Sequence, residues 1–337
     1  MSQCLISVII PVFNVNEFIR DTIESVLKIH EHIEIILIDD GSTDGSEKIC
    51  DAYSKKYSNI IVIHQENKGP SIARNIGIKK STGKYIMFLD SDDFYDSNEL
   101  KKICNYLKEN KADIFLGQTY NIIYPKGTIK RIEDNINFNE KINGKKLLKI
   151  YLPDNDCIAM KYIWMNVYSS EFIKGNNCFF DSSLIMGEDT DWNMRCIYNA
   201  KVIKKINFNF YNYRGNREGS IVTSFGFEKK LEGFYNIRNK WNLEDKTDDK
   251  IIYSYFANST CWCLKYVYMC SHSTRKIWKD RIKKKEFWNF NITNKNKKIK
   301  IILYILGSNL GLIYLCYKEK IKQKIKKILI KFNFIDR

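Results

Sequence analysis

Carboxylates supply the chemistry in this chain, and they come in three short groups. Asp39-Asp40 precede Gly41-Ser42, Asp90-Ser91-Asp92-Asp93 form a second group, and Glu188-Asp189 with Asp191 form the third. Three acids within four residues repel one another unless something cationic neutralises them, and a divalent metal with oxygen ligands is the usual answer. An Asp-x-Asp by itself is a weak signal, because acidic turns at strand ends are commonplace. Glu188, Asp189 and Asp191 also have an ordinary reading as acids in the first turn of a helix carrying Trp192, Cys196 and Ile197, where they complement the helix dipole. A different set of metal ligands, Cys261-x-Cys263 followed by Cys270-x-His272, lacks common zinc-finger spacing and overlaps a run, Tyr255 to Met269, that is patterned as a buried helix. No zinc site is expected there.

The elements around these acids decide what they can do. Ser7 to Ile10, Ile33 to Ile38, Ile60 to Ile63 and Tyr85 to Leu89 are short and β-branched, as strands buried on both faces should be. Between them Ile19, Ile23, Val26 and Leu27 share one helical stripe, Ile49, Ala52, Tyr53 and Tyr57 another, and Ile72, Ala73 and Ile76 a shorter one. This βαβαβαβ run predicts a largely parallel sheet with right-handed crossovers. Asn14, Asp39 to Ser42 and Asp90 to Asp93 then all fall at the carboxyl edge, where open α/β sheets bind ligands. Position, more than composition, raises the metal reading above an acidic turn. Further on, the sequence predicts a helix over Asn98 to Leu107 and a strand over Asp113 to Gly117. The polar stretch Asn121 to Lys146 reads as an acceptor-side insertion or a surface loop.

Hydrophobic residues at 44% and aromatics at 14% exclude a disordered chain. The net charge of +16 is unevenly spread: residues 1–100 carry −6, residues 101–200 carry +2 and residues 201–337 carry +20. The ten cysteines are scattered and read as reduced. The stretch Leu5 to Phe13 is interrupted by Ser7 and Pro11 and reads as a first strand rather than a signal peptide, so a cytoplasmic protein is expected.

Five motifs in order resemble family 2 nucleotide-sugar glycosyltransferases of the GT-A fold, over about residues 4–225. Ser7-Val8-Ile9-Ile10-Pro11-Val12-Phe13-Asn14 is similar to the opening strand and Asp39-Asp40-Gly41-Ser42-Thr43-Asp44 to the second-strand motif. Asn67 through Gly77 resembles the sugar-nucleotide loop and helix, Asp90-Ser91-Asp92-Asp93 the metal motif, and Gly187-Glu188-Asp189 the later acidic pair. The resemblance implies an α/β, Rossmann-like, mostly parallel sheet flanked by helices, with a helical basic C-terminal extension. It implies that Pro11, Phe13 and Asp40 line a nucleobase pocket in which Asp40 favours UDP, with capping of the helix after Gly45 as the competing role for Asp40. Arg74 suits a nucleotide or braces the acids. Asp90 touches ribose or sugar, Asp92 binds Mn²⁺ or Mg²⁺, and Asp93 supports the site. Tyr213 through Ile221 resembles a loop closing over the pyrophosphate, with Arg214, Arg217 and Ser220 as candidate contacts; which arginine reaches the phosphates stays open. Asp189 is the implied catalytic base, Glu188 its acceptor-binding or orienting neighbour. One departure is Asn166, in Trp164-Met165-Asn166-Val167-Tyr168, where the family commonly has Lys. Trp164 itself is expected to pack in the core.

Residues 276–300 hold ten Lys and Arg against Asp280 and Glu286, and Ile301 to Tyr317 then runs 17 residues without a charge. That length is at the lower limit for a bilayer span, and Gly307-Ser308-Asn309 interrupts it. Beyond it Ile321, Ile325, Ile328, Leu329 and Phe332 share one face among lysines, the pattern of an interfacial helix drawn to anionic lipid. A membrane surface is favoured over nucleic acid, because the lysines flank long aliphatic faces. The division expected is a catalytic domain at 1–225, with donor half to about 115 and acceptor half from 116, and a helical, membrane-associating region at 226–337. The combined reading is a metal-dependent, inverting glycosyltransferase. It would move sugar from a UDP-sugar to a polyprenyl-diphosphate-linked glycan for capsule or O-antigen synthesis, while bound peripherally to the inner face of the cell membrane. The rival is a non-catalytic membrane- or nucleic-acid-associated protein retaining a nucleotide pocket.

Overall fold

The computed structural model describes residues 4–29, 32–125, 127–134, 136–138, 140–152, 159–184, 186–215, 227–243, 276–278 and 280–281. The Cys261 to His272 ligand set, the uncharged run 301–317 and the lysine-rich run 318–332 lie outside these residues. The chain divides into two compact units. The first comprises Met1–Tyr151, Asp156–Ser183 and Glu188–Glu218, and the second Leu152–Asn155, Leu184–Gly187 and Gly219–Arg337.

In the first unit the β-branched runs form β1 (Ile6–Val12), β2 (Ile33–Asp39), β3 (Ile60–His64) and β4 (Tyr85–Phe88), joined by α1 (Ile19–Leu27), α2 (Ser46–Lys56) and α3 (Pro70–Lys80). β1 lies between β2 and β4, parallel to both, and β2 pairs in parallel with β3. β5 (Phe94–Tyr95), α4 (Ser97–Glu109), β6 (Ile114–Gly117), β7 (Thr119–Ile123), β8 (Ile129–Glu133) and α5 (Gly144–Tyr151) follow. A 3₁₀ turn at Ile163–Met165 leads into β9 (Val167–Ser169) and α6 (Ser170–Gly175), and α7 (Glu188–Asn199), β10 (Ile203–Ile206) and β11 (Tyr211–Arg214) complete the unit. The main sheet runs β10-β6-β9-β4-β1-β2-β3, in which β9 alone is antiparallel to its neighbours. The mostly parallel α/β fold expected from the sequence is therefore present.

The helical stripes follow the sequence with two corrections. Ile19, Ile23 and Val26 of α1 are buried, but on α2 Ala52 faces solvent and Cys50 takes its place in the core. The stretch 121–146 is also more ordered than a surface loop. β7 and β8 pair antiparallel and join β5 and β11 in a second, four-stranded sheet. β8 is exposed along nearly its whole length, so backbone pairing rather than apolar alternation defines it.

Two glycines shape α3. Gly69 adopts φ +86° with open space around it, serving the turn before Pro70, whereas a Cβ on Gly77 would lie 2.4 Å from Ile9 Cγ2. Gly77 therefore lets α3 sit directly on β1. At the amino edge of the sheet, buried Glu34 accepts hydrogen bonds from Ser7 and from the Thr82 and Gly83 amides, tying β1, β2 and the turn before β4 together.

The second unit contains α8 (Phe227–Leu243). Trp278 is fully buried, with its indole N–H donated to Glu232, and Arg281 bonds the same carboxylate while lying over the Tyr235 ring. Among the described residues no helix is long and apolar enough to cross a membrane.

Candidate active site

The carboxyl edge of the main sheet gathers the expected residues. β1 ends at Val12, and the next two residues are Phe13, 44% exposed, and Asn14, held at φ 50°. Asn14 donates its amide to Ser42 Oγ and accepts from the Thr43 amide, so the turn after β1 is knitted to the turn after β2. Pro11 is half-buried beside them.

Asp40 is 4% exposed, and its carboxylate accepts from Gln65 Nε2 at 2.5 Å and from the amides of Lys68 and Gly69, each at 2.8 Å. The competing role is excluded: Asp44, not Asp40, holds the start of α2, accepting from the Ser46 amide and hydroxyl. Asp40 instead fastens the loop before α3 to the end of β2. Gln65, which no sequence motif marks, is part of that fastening.

Arg74, on α3, is almost fully buried. Its Nη1 lies 2.7 Å from Asp189 Oδ1 and 3.6 Å from Glu188 Oε1, and its Nη2 lies 3.2 Å from Asp90 Oδ1. Burial works against its charge, yet the carboxylates of Asp189, Asp90 and Glu188 outweigh burial and hold the guanidinium protonated. The Phe180 ring covers it at 5.5 Å, and Phe180 is itself fixed by paired hydrogen bonds to Asn75. Arg74 thus braces the acids, one of the two roles the sequence leaves open to it.

Asp189 and Glu188 open α7, as a dipole argument alone would have it, but both turn toward Arg74. Asp191 is fully buried and paired with Arg195 one turn on, facing away. Removal from water pushes Asp189 up to about 8; Arg74 pulls the other way, while Glu188 and Asp90 add to the rise. Asp189 thus sits near neutrality, where a general base works best.

The turn after β4 is held by Thr22 of α1, whose hydroxyl reaches the carbonyls of Ser91 and Asp93. Asp93 is fully buried and accepts from the Tyr211 hydroxyl at 2.6 Å and the Arg214 amide at 2.8 Å. Burial, with Asp92 and Asp90 nearby, raises Asp93 well above the ordinary carboxylate range. It supports the turn, as expected. Arg214 donates to the Asp92 carbonyl and to Asp21, flanked by the rings of Phe94 and Phe18. Arg217 and Ser220 lie outside the described residues.

No group of three or more His, Cys, Asp or Glu side chains among the described residues can hold a metal alone. Asp90 and Asp92 are half-buried carboxylates at one strand end. That donor set fits a hard divalent cation that takes one or two carboxylates and completes its shell with phosphate oxygens and water. Trp164 packs in the core against Tyr211, with ring centroids 4.1 Å apart, as expected. Asn166 is buried, accepting from the Gly117 amide and donating to the Ala159 carbonyl, which gives it a structural role.

The glycosyl transferase family 2 model matches residues 7–168. An uncharacterised glycosyltransferase, EpsJ of Bacillus subtilis, is 32% identical over 215 residues, covering 63% of this chain and 61% of its own. The poly(ribitol-phosphate) beta-glucosyltransferase of Bacillus spizizenii is 32% identical over 227 residues, covering 65% of this chain and 33% of its own. This chain therefore spans less than two thirds of the curated relatives it matches first. Among solved structures, S. aureus TarS 1-349 in complex with UDP-GlcNAc has a TM-score of 0.63 at 22% identity, covering 82% of this chain and 79% of that one. The mannosyltransferase PcManGT of Pyrobaculum calidifontis, in complex with GDP-Man and Mn2+, has a TM-score of 0.52 at 10% identity, covering 94% and 87%. These likenesses establish the fold expected from the motifs. Residues 7–168 belong to glycosyl transferase family 2.

Proposed function

We propose that this protein is a metal-dependent, inverting glycosyltransferase that moves a sugar from a UDP-sugar to a lipid-linked glycan acceptor in cell-surface polymer synthesis. The observation that carries the reading is the convergence of Asp90, after β4, and the Glu188-Asp189 pair on Arg74, from segments far apart in the chain. Such a constellation provides a donor side and an acceptor side a few ångströms apart. Relatives named for poly(ribitol-phosphate) glucosylation and for minor teichoic acid synthesis favour an acceptor in cell-surface polymer synthesis.

In this reading Pro11, Phe13 and Asp40 hold the uracil, and Asp90 orients the ribose or sugar. Asp92 holds Mn²⁺ or Mg²⁺, which when bound supplies positive charge to the diphosphate of the donor. Asp189 takes the proton from the acceptor hydroxyl as that oxygen bonds to the anomeric carbon; the bond from that carbon to the diphosphate oxygen breaks, and UDP departs with the electron pair. Glu188 orients the acceptor, and Arg74 keeps Asp189 aimed while limiting its rise in pKa. Arg214 or Arg217, with Ser220, closes over the diphosphate. The catalytic domain is residues 1–225, and the basic region 226–337 holds it to the anionic inner face of the cell membrane.

Two substitutions test the assignment. Asp92→Asn should abolish Mn²⁺-dependent binding of UDP in titration calorimetry. Asp189→Asn should bind UDP normally and fail to transfer; near-normal turnover would refute the base assignment. A panel of radiolabelled UDP-sugars, scored for Mn²⁺-stimulated hydrolysis without acceptor, identifies the donor. Flotation with anionic liposomes tests the membrane region, since a truncation at residue 295 should bind them less well than the full chain.

A further inference from the structure

His64 closes β3 and touches two acids from different elements. Its Nδ1 lies 2.8 Å from Asp39 Oδ2 at the end of β2, and its Nε2 lies 3.0 Å from Asp51 Oδ1 on α2. Asp39 and Asp51 bracket the loop and first helical turns that contain Asp40, so one imidazole staples both ends of that segment. The loop it spans turns at two left-handed glycines, Gly41 at φ +78° and Gly45 at φ +97°. The other oxygen of Asp39 accepts from the Ser42 amide, and Ser42 in turn receives the Asn14 amide from the turn after β1. The ring is thus linked through Asp39 and Ser42 to the turns after β2 and β1, which carry Asp40 and Phe13 of the proposed base pocket.

We propose that His64 is a positioning residue for the donor pocket, a two-armed imidazolium clamp whose release on deprotonation weakens UDP-sugar binding. This rests on the glycosyltransferase reading above. Only a protonated ring donates from both nitrogens. The hydrogen bond to Asp39 raises the His64 pKa above 6.5 most strongly; partial burial opposes it, and Asp51 adds to the rise. The groups acting on the ring are Asp39 from β2 and Asp51 from α2. Cys50, beside both acids on α2, is pushed up to about 12 by burial and stays a neutral thiol. The clamp is complete below the ordinary histidine pKa and is lost as pH rises through the raised folded value. Asp39 is buried and Asp51 is half exposed, so the remaining proton stays on Nδ1 and the arm to α2 opens.

The test is titration calorimetry of the full chain with UDP-glucose and UDP-N-acetylglucosamine in Mn²⁺, from pH 6.0 to 8.5, a range in which the donor diphosphate does not titrate. The dissociation constant should rise about three-fold across the range, the scale of one half-exposed charged hydrogen bond. His64→Gln should lose that three-fold rise, keeping only what the Asp189 carboxyl, raised to about 8, contributes in both proteins, and Asp51→Asn should move the midpoint to lower pH. The imidazole signals lost in His64→Gln should titrate in the wild type with the midpoint of the lost component by NMR. A wild-type constant that is flat with pH, or the full three-fold rise persisting in His64→Gln, overturns the clamp. Failure to bind either UDP-sugar at any pH overturns the glycosyltransferase reading itself and is told apart from the first result by that complete absence of binding.

Discussion

Replacing Arg74 with methionine removes the one cation that Asp90, Glu188 and Asp189 share among the described residues while keeping the volume under Phe180. At an effective dielectric of 20, a guanidinium and a carboxylate about 4 Å apart attract by about 4 kcal/mol, and breaking a buried pair costs about 3–5 kcal/mol in practice. The three carboxylates retain 30%, 17% and 29% exposure, so water recovers part of that loss. We expect a destabilisation of about 3 kcal/mol at pH 8.5, where Asp189 is mostly ionised in the wild type and its pairing with Arg74 is what the variant loses. Without Arg74, which pulls its pKa down, the Asp189 carboxyl holds its proton still more tightly in the folded state. Stability then falls as pH rises, and the deficit shrinks to about 1 kcal/mol at pH 5.5, where protonation relieves the repulsion. Scanning calorimetry at low salt should show the first transition about 8 °C below wild type at pH 8.5 and about 2–3 °C below at pH 5.5. Equal shifts at the two pH values would refute an electrostatic role for Arg74 and leave only packing.

Two further outcomes follow from the same geometry. Turnover at saturating donor should rise with pH along an acidic limb centred near 8, because Asp189, raised by removal from water, must be ionised to act as base; a pH-rate profile already flat from pH 6 would remove Asp189 from that role. Gly77→Ala would ordinarily strengthen a helix by about 1 kcal/mol, but here the new methyl meets Ile9 at 2.4 Å in a fully buried strand. Overpacking should win by about 1–2 kcal/mol in urea unfolding, and a more stable variant would show that α3 can lift off β1.

The strands β1 to β4, their crossovers and the acids at their carboxyl edge were legible because each leaves a local signature: a β-branched run, a stripe, or a polar turn directly after a strand. β8 was not, since an exposed strand paired only through its backbone has no apolar period. The partners of the acids were equally silent. Arg74 meets Asp189 across 115 residues and Tyr211 meets Asp93 across 118, distances over which spacing in the sequence reports nothing. Arg74 could be named from its motif, yet its motif could not say whether it served a nucleotide or the acids. Gln65, Tyr211 and His64 had no motif of their own.

What could and could not be read divides along a chemical line. The visible residues carry the charge of the site, and the invisible ones decide where its protons reside. Burial, with Asp92 and Asp90 nearby, takes Asp93 well above the carboxylate range, while the hydrogen bonds from the Tyr211 hydroxyl and the Arg214 amide pull the other way. Arg74 pairs with Asp189 and opposes the rise in its pKa without cancelling it, so the proposed base keeps an affinity for protons that an ordinary ion-paired carboxylate lacks. His64 sits between Asp39 and Asp51 with a pKa moved upward by both. A stronger pair at Arg74 would have made Asp189 a weaker base, and a neutral ring at position 64 can donate to only one of Asp39 and Asp51. Removal of the long-range partner should therefore alter pH dependence before it alters fold, and this separates a working acidic edge from an acidic turn of the same sequence.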